Sequence, residues 1–264
     1  MNDSPGSVVF KAALQCRTTD VINLLDCEDA SLDAHDDNGM SLLHVASATN
    51  NIALAHALLE RGISIDIVGG PDRCTPLHVA AAGGHLEMLR MLLEAHADFT
   101  KRDAFGRTCL YYAATSSQPY ACLYLWHVES NPPVAFVDDH GRTVLMAACL
   151  AGASEETIRI LITLAGVNSV NCPDGTLGNT ALHYGVMSGK RVVCRLLLEA
   201  GADKAIRNKN GETPLDTAQL MGFPAAILRP SEFVDVTPPG SFLTRVRLLV
   251  IVVVGTLGFT RIGC

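Results

Sequence analysis

The sequence predicts an all-α solenoid of about seven stacked helix pairs, followed by a short apolar C-terminal tail. Three observations predict it. A helix-opening Ser or Thr recurs as Ser7, Ser41, Thr75, Thr108, Thr143, Thr180 and Thr213, at steps of 34, 34, 33, 35, 37 and 33 residues. Each step contains an alanine-rich and then a leucine-rich segment of helical length. Short loops, most of them bearing glycine, separate these pairs. No such unit can bury its apolar stripe alone, so stacking has to make one continuous core.

Each element of a repeat has a physical reason. The clearest example is DRCTPLHVAAAGGHLEMLRMLLEAHAD, from Asp72 to Asp98. Gly39, Gly106, Gly141, Gly178 and Gly211 stand two residues before the Ser or Thr, where a tight turn calls for positive φ. Arg73 breaks that rule. Pro76 and Pro214 follow the Thr at the first helical position, where no N–H is needed. Ala46, Ala80–Ala82, Ala113–Ala114 and Ala147–Ala148 keep the first helix thin, so neighbours can approach. Leu58–Leu59, Leu92–Leu93 and Leu196–Leu198 form the stripe of the second helix. The last repeat opens as NGETPLDTAQLMG, but Pro224 and Pro230 leave room for barely one further helical turn. Pro238–Pro239 come next. The chain thus divides into a repeat domain over 1–228, an irregular linker over 229–244 and an apolar tail over 245–264.

Composition narrows the function. The chain carries a net charge of −7, and residues 1–240 hold 17 basic against 27 acidic residues. An acidic body excludes nucleic acid as the expected partner, because phosphate binding needs a basic face. The start, MNDSPGSVVF, lacks the basic and apolar regions of a secretory signal. Nine scattered cysteines without a CxxC pair suit free thiols in a reducing compartment, and neither a disulfide framework nor a zinc site is expected.

Catalytic signatures are not found. There is no GxSxG, P-loop, GxGxxG or HExxH, so no catalytic, cofactor-binding or metal-binding residue is assigned. His44, His78 and His183 occupy the fourth position of TPLH-like motifs and are expected to bond neighbouring backbone. DDHG, Asp138 to Gly141, reads as a turn rather than a metal site. The repeat CLYYAATSSQPYACLYLWHVES is the aromatic one. Helical spacing assigns its Trp126 to the core, whereas Tyr111 and Tyr112 suit either the core or a binding surface.

These motifs resemble the ankyrin repeat, from Ser7 to Gly222. Three irregularities go beyond that consensus: the Gly69–Gly70 pair ahead of a glycine-less turn, Met146 in place of His, and an apolar run soon after the last repeat. Together they resemble the ankyrin-bearing DHHC palmitoyltransferases, the huntingtin-interacting type and its yeast counterpart. The resemblance implies a role in protein S-acylation at Golgi-type membranes, with the repeats recruiting substrates. It also implies capture of a short, extended, proline-containing peptide between an Asn and a Trp that follows TPLH. Asn50 matches the Asn, and Val79 stands where the family has Trp. Asn50, Val79, Tyr111 and Tyr112 are therefore the candidate peptide-binding residues. A DHHC domain needs a nucleophilic Cys, an activating Asp-His-His group and zinc ligands. After Gly222 the only Cys or His is Cys264, so that catalytic set is not in this chain. The other reading is a stand-alone cytosolic ankyrin adaptor.

The tail divides these readings. Leu248 to Phe259 is twelve uncharged residues. At ~1.5 Å per residue they reach about 18 Å, against a bilayer core of ~30 Å. They read as a partial membrane segment, with Arg245 and Arg247 marking its cytosolic side. In the adaptor reading the tail packs on the last repeat or on a partner, and the protein is a soluble cytoplasmic one. Either way the expected partners are proteins and the expected state is a monomer without cofactor.

Overall fold

The computed structural model describes residues 5–27, 31–32, 34–128 and 137–228. The linker and the apolar tail lie outside these described residues. The chain divides into two compact bodies between Tyr112 and Ala113. The first contains α1 (Pro5–Leu14), α2 (Thr18–Asp26), α3 (Leu42–Ala48), α4 (Ile52–Glu60), α5 (Pro76–Gly83) and α6 (Leu86–Glu94). The next helix, α7 (Cys109–Thr115), spans the division. The second body contains α8 (Pro119–Val128), α9 (Val144–Ala151), α10 (Glu155–Ala165), α11 (Ala181–Met187), α12 (Arg191–Glu199) and α13 (Pro214–Leu220). Each body is a stack of helix pairs. In the first, α3 packs on α5 and α4 on α6; in the second, α9 packs on α11 and α10 on α12.

The helix-opening residues do what their spacing predicts. Ser41, Thr75, Thr143, Thr180 and Thr213 are N-caps in extended backbone, each closing a capping box with the residue three positions on. Nine residues later every repeat turns through left-handed backbone, at Cys16, Asn50, Gly84, Ser117, Gly152, Gly189 and Gly222. Cys16, with φ +56°, keeps that register in the first repeat, but α1 already begins at Pro5, so Ser7 lies inside the helix and does not open it as its spacing predicts. The turn before the cap is also left-handed. Arg73 adopts φ +55° where its counterparts are glycine, so the turn is kept at the expense of strain.

Two irregular steps have local causes. The 37-residue step arises because α10 has 11 residues, where α4, α6 and α12 have nine. Gly166 then ends α10, and a 3-10 turn over Val167–Asn171 comes after it. In the last repeat, Pro224 is followed by a 3-10 turn over Ala225–Leu228 in place of a second helix. Gly69 answers a close approach. A Cβ there would lie 2.8 Å from both the Gly39 carbonyl oxygen and the His44 ring.

Candidate functional site

Most of the described hairpins are built around one buried or half-buried side chain, whereas the one from Gly69 to Cys74 is closed by backbone bonds. Asp103 Oδ1 accepts from the Phe105 and Arg107 N–H groups at 2.9 and 2.8 Å. Asp138 does the same with His140 and Arg142, and Asn208 with Asn210 and Glu212. DDHG is therefore a turn in which Asp138 also pairs with Arg142 at 2.7 Å. Among the described residues no three His, Cys, Asp or Glu stand together so as to hold a metal ion.

Histidines join one hairpin to the next. The Thr75 N–H donates to His78 Nδ1 at 3.1 Å, and His78 Nε2–H donates to the Arg107 carbonyl at 3.1 Å. His44 reaches the Cys74 carbonyl in the same way, and His183 that of Glu212. Burial holds all three imidazoles below their ordinary range, against the opposing pull of these backbone bonds. They are structural relays, as the TPLH position predicts. Met146 retains only a 3.4 Å contact from the Thr143 N–H to its sulfur. At that junction Gly141 and Gly175 approach so closely that a Cβ on Gly141 would sit 2.5 Å from the Gly175 nitrogen. Thr176 Oγ1–H adds a bond to the His140 carbonyl at 2.7 Å.

The most elaborate cluster surrounds Tyr112. Its hydroxyl donates to Asp103 Oδ2 at 2.8 Å. Arg107 binds the same carboxylate through Nε at 2.5 Å and reaches Asp72 of the preceding hairpin through Nη2 at 2.6 Å. The guanidinium lies 4.7 Å from the Phe105 ring centroid and 5.0 Å from that of Tyr112. The His78 ring meets the Tyr112 ring edge-on at 5.1 Å. Burial raises the Asp103 pKa, yet the bonds from Arg107, Tyr112 and Phe105 outweigh it, leaving the carboxyl below its ordinary range. Burial and the Asp103 bond push the Tyr112 phenol up. The hydroxyl is thus held as a donor, and the ring orientation is fixed from three sides.

The four sequence candidates separate in this frame. Val79 and Tyr112 stand four residues after Thr75 and Thr108, in one register of successive first helices, and both are half-buried. Asn50 is exposed at the turn after α3, in left-handed backbone with φ +53°. Tyr111 is 8 % exposed and occupies the histidine slot of its repeat. Trp126 is half-buried on α8, whose Ala121–Leu125 segment is buried. Arg107, Asp103, Asp72 and Phe105 were not singled out from the sequence. The Asp-x-x-x-Arg spacing shared by DAFGR and DDHGR was the available signal.

Known proteins share this architecture. The family description "Ankyrin repeats (3 copies)" matches residues 9–103, 68–133 and 126–208. The chain belongs to the ankyrin-repeat family. Ankyrin repeats are a protein-interaction module, and the stacked helix pairs and hairpins are its elements. The crystal structure of the ankyrin repeat domain of Bcl-3 superposes with a TM-score of 0.62 at 24 % identity, over 86 % of this chain and 97 % of that one. Among curated proteins, the putative palmitoyltransferase ZDHHC13 of Danio rerio is 33 % identical over 192 residues. The palmitoyltransferase ZDHHC17 of Homo sapiens is 36 % identical over 184 residues. These matches take in 73 % and 70 % of this chain but only 29 % and 28 % of those proteins. The resemblance to ankyrin-bearing palmitoyltransferases thus covers most of this chain and under a third of the relatives.

Proposed function

We propose that this ankyrin array recruits protein substrates for S-acylation by a DHHC-type acyltransferase at a Golgi-type membrane. The observation that carries the proposal is the Tyr112 ring. It is half-buried, locked by Asp103, Arg107 and His78, and shares its register with Val79. Similarity to palmitoyltransferases supports the same reading. An extended peptide laid across these first helices finds an amide at Asn50, an apolar step at Val79 and an aromatic face at Tyr112. Tyr111 backs that face through Arg107, whose guanidinium is 6.0 Å from its ring centroid. Proline packs well on such a face, because an extended proline-rich segment is already ordered and loses little entropy. Val79 offers no π surface, so in this chain the stacking role passes one repeat onward. The protein acts as a monomer, and residues 245–264 attach it to the membrane, the adjoining arginines facing anionic lipid.

Asn50→Gly tests the peptide reading, because glycine removes the amide while tolerating φ +53°. Titration calorimetry with a proline-containing peptide should show a loss of about 1–3 kcal/mol. Unchanged affinity would place the peptide elsewhere. Flotation with anionic liposomes tests the attachment: the full chain should float, and a chain in which Val252 and Val253 are both Asp should not. Equal recovery of both would remove the membrane from the proposal.

A further inference from the structure

Phe105 is 45 % exposed at the tip of the hairpin that precedes α7. Arg107 joins it to Tyr112. The guanidinium carbon lies over both rings, 4.7 Å from the Phe105 centroid and 5.0 Å from that of Tyr112. The two rings therefore stand no further apart than those distances laid end to end. Within the fold the guanidinium is only partly used: Nε donates to Asp103, and Nη2 donates to Asp72 and to the Tyr112 oxygen. Nη1 donates to no described residue, and 22 % of the side chain is open to solvent. Two part-open aromatic rings thus accompany a hydrogen-bond donor that the fold leaves unused.

We propose that Phe105, Arg107 and Tyr112 together read a polyproline II segment with two prolines three residues apart, in a Pro-x-x-Pro spacing. The inference rests on peptide capture at Tyr112 and names the class of peptide captured. Polyproline II has three residues per turn and rises ~3.1 Å per residue. Residues i and i+3 therefore share one side of the segment about 9 Å apart, within the limit that Arg107 sets for the two rings. A spacing of two turns the second proline away. A spacing of four also turns it away, and overshoots the rings at about 12 Å. One proline then packs on Tyr112 and the other on Phe105. Such a segment makes no internal hydrogen bonds, so a carbonyl between the prolines is available to accept from Arg107 Nη1. Asp72 and Asp103 hold the guanidinium in place and offset its charge, which suits a neutral carbonyl better than an acidic side chain. The segment is already ordered and loses little conformational freedom on docking.

Fluorescence anisotropy on the full chain tests it, with three labelled serine- and alanine-based peptides that carry two prolines spaced two, three or four residues apart. The wild-type chain should bind the three-spaced peptide at least about fivefold more tightly than the other two. Phe105→Ala should abolish that preference, and Phe105→Tyr should keep it. Equal binding of all three peptides by the wild-type chain, or a preference that survives Phe105→Ala, would overturn the proposal while leaving capture at Tyr112 standing. If Phe105→Ala instead weakens all three peptides alike, the ring only positions its neighbours, and the two-proline reading fails. Binding of none of the peptides, or binding that Tyr112→Ala leaves untouched, would remove capture at Tyr112 and this inference with it.

Discussion

Tyr112 and Tyr184 stand four residues after Thr108 and Thr180, and each donates its hydroxyl to its own hairpin aspartate at 2.8 Å. Yet Tyr184 is 6 % exposed, while Tyr112 is half-buried. The residue just before the cap also differs. In the Tyr184 repeat it is Asn179, which accepts from Asn208 at 2.9 Å and stays buried. In the Tyr112 repeat it is Arg107, which spans to Asp72 and lies over both Phe105 and Tyr112. The tyrosine–aspartate bond is therefore a folding device common to both. Whether it also offers a binding surface depends on the neighbour.

Alanine substitution should separate the two roles. Tyr184→Ala removes a buried ring and is expected to cost about 3–5 kcal/mol. Tyr112→Ala should cost roughly half that, since less of the ring is desolvated. Urea titrations of both variants check this, and equal losses would make Tyr112 an ordinary core residue.

The relays that flank these rings give the next largest effect. His78→Leu orphans the Thr75 N–H, at about 1–3 kcal/mol for a buried group, and leaves the Arg107 carbonyl with only its bond from the Asp103 N–H. Met146→Leu, at the junction without a relay, keeps volume and should cost under about 1.5 kcal/mol. A comparable loss at both sites, again by urea titration, would mean that packing rather than the histidine bonds holds the hairpins together.

Acid should then unfold the array in two steps. His44, His78 and His183 have folded pKa values below the unfolded ~6.5, so the unfolded chain binds protons first and stability falls as pH drops below about 6.5. Each unit of depression contributes about 1.4 kcal/mol. Asp103, Asp138 and Asp174 are also depressed, so their contribution is present above about pH 4 and is lost below it. Stability measured against pH should show both steps. A flat profile between pH 7 and 5 would contradict the relay assignment.

The smallest effect is a gain. Arg73 and His96 sit at φ +55° and +66°, where a side chain costs ~1–2 kcal/mol. Glycine relieves that strain but adds ~0.4–1 kcal/mol of unfolded-state entropy. Arg73→Gly and His96→Gly should therefore each stabilise by about 0.5–1 kcal/mol, read as a raised melting temperature.

Much of this fold was legible because its determinants are local. The caps, the helix-opening prolines, the TPLH histidines and the shortened last repeat each depend on residues within one turn or hairpin. The left-handed position nine residues after the cap was harder to see, because Cys16, Asn50 and Ser117 do not announce it as Gly84 does. Asn50 thus entered as a binding candidate on resemblance alone, without its backbone role. The Arg107 cluster was missed because its bond to Asp72 spans 35 residues. Tyr111 and Tyr112 could not be separated by composition. Aligning them on Thr108 puts Tyr111 in the histidine slot and Tyr112 beyond it, and the structure buries them accordingly.

Peptide binding to the Tyr112 face is most directly tested by titrating a proline-containing peptide into wild-type, Tyr112→Ala and Tyr184→Phe chains. Tyr112→Ala should weaken binding at least about tenfold, or 1.4 kcal/mol, while Tyr184→Phe leaves it unchanged. Undiminished affinity in a folded Tyr112→Ala chain would contradict a stacking role for Tyr112.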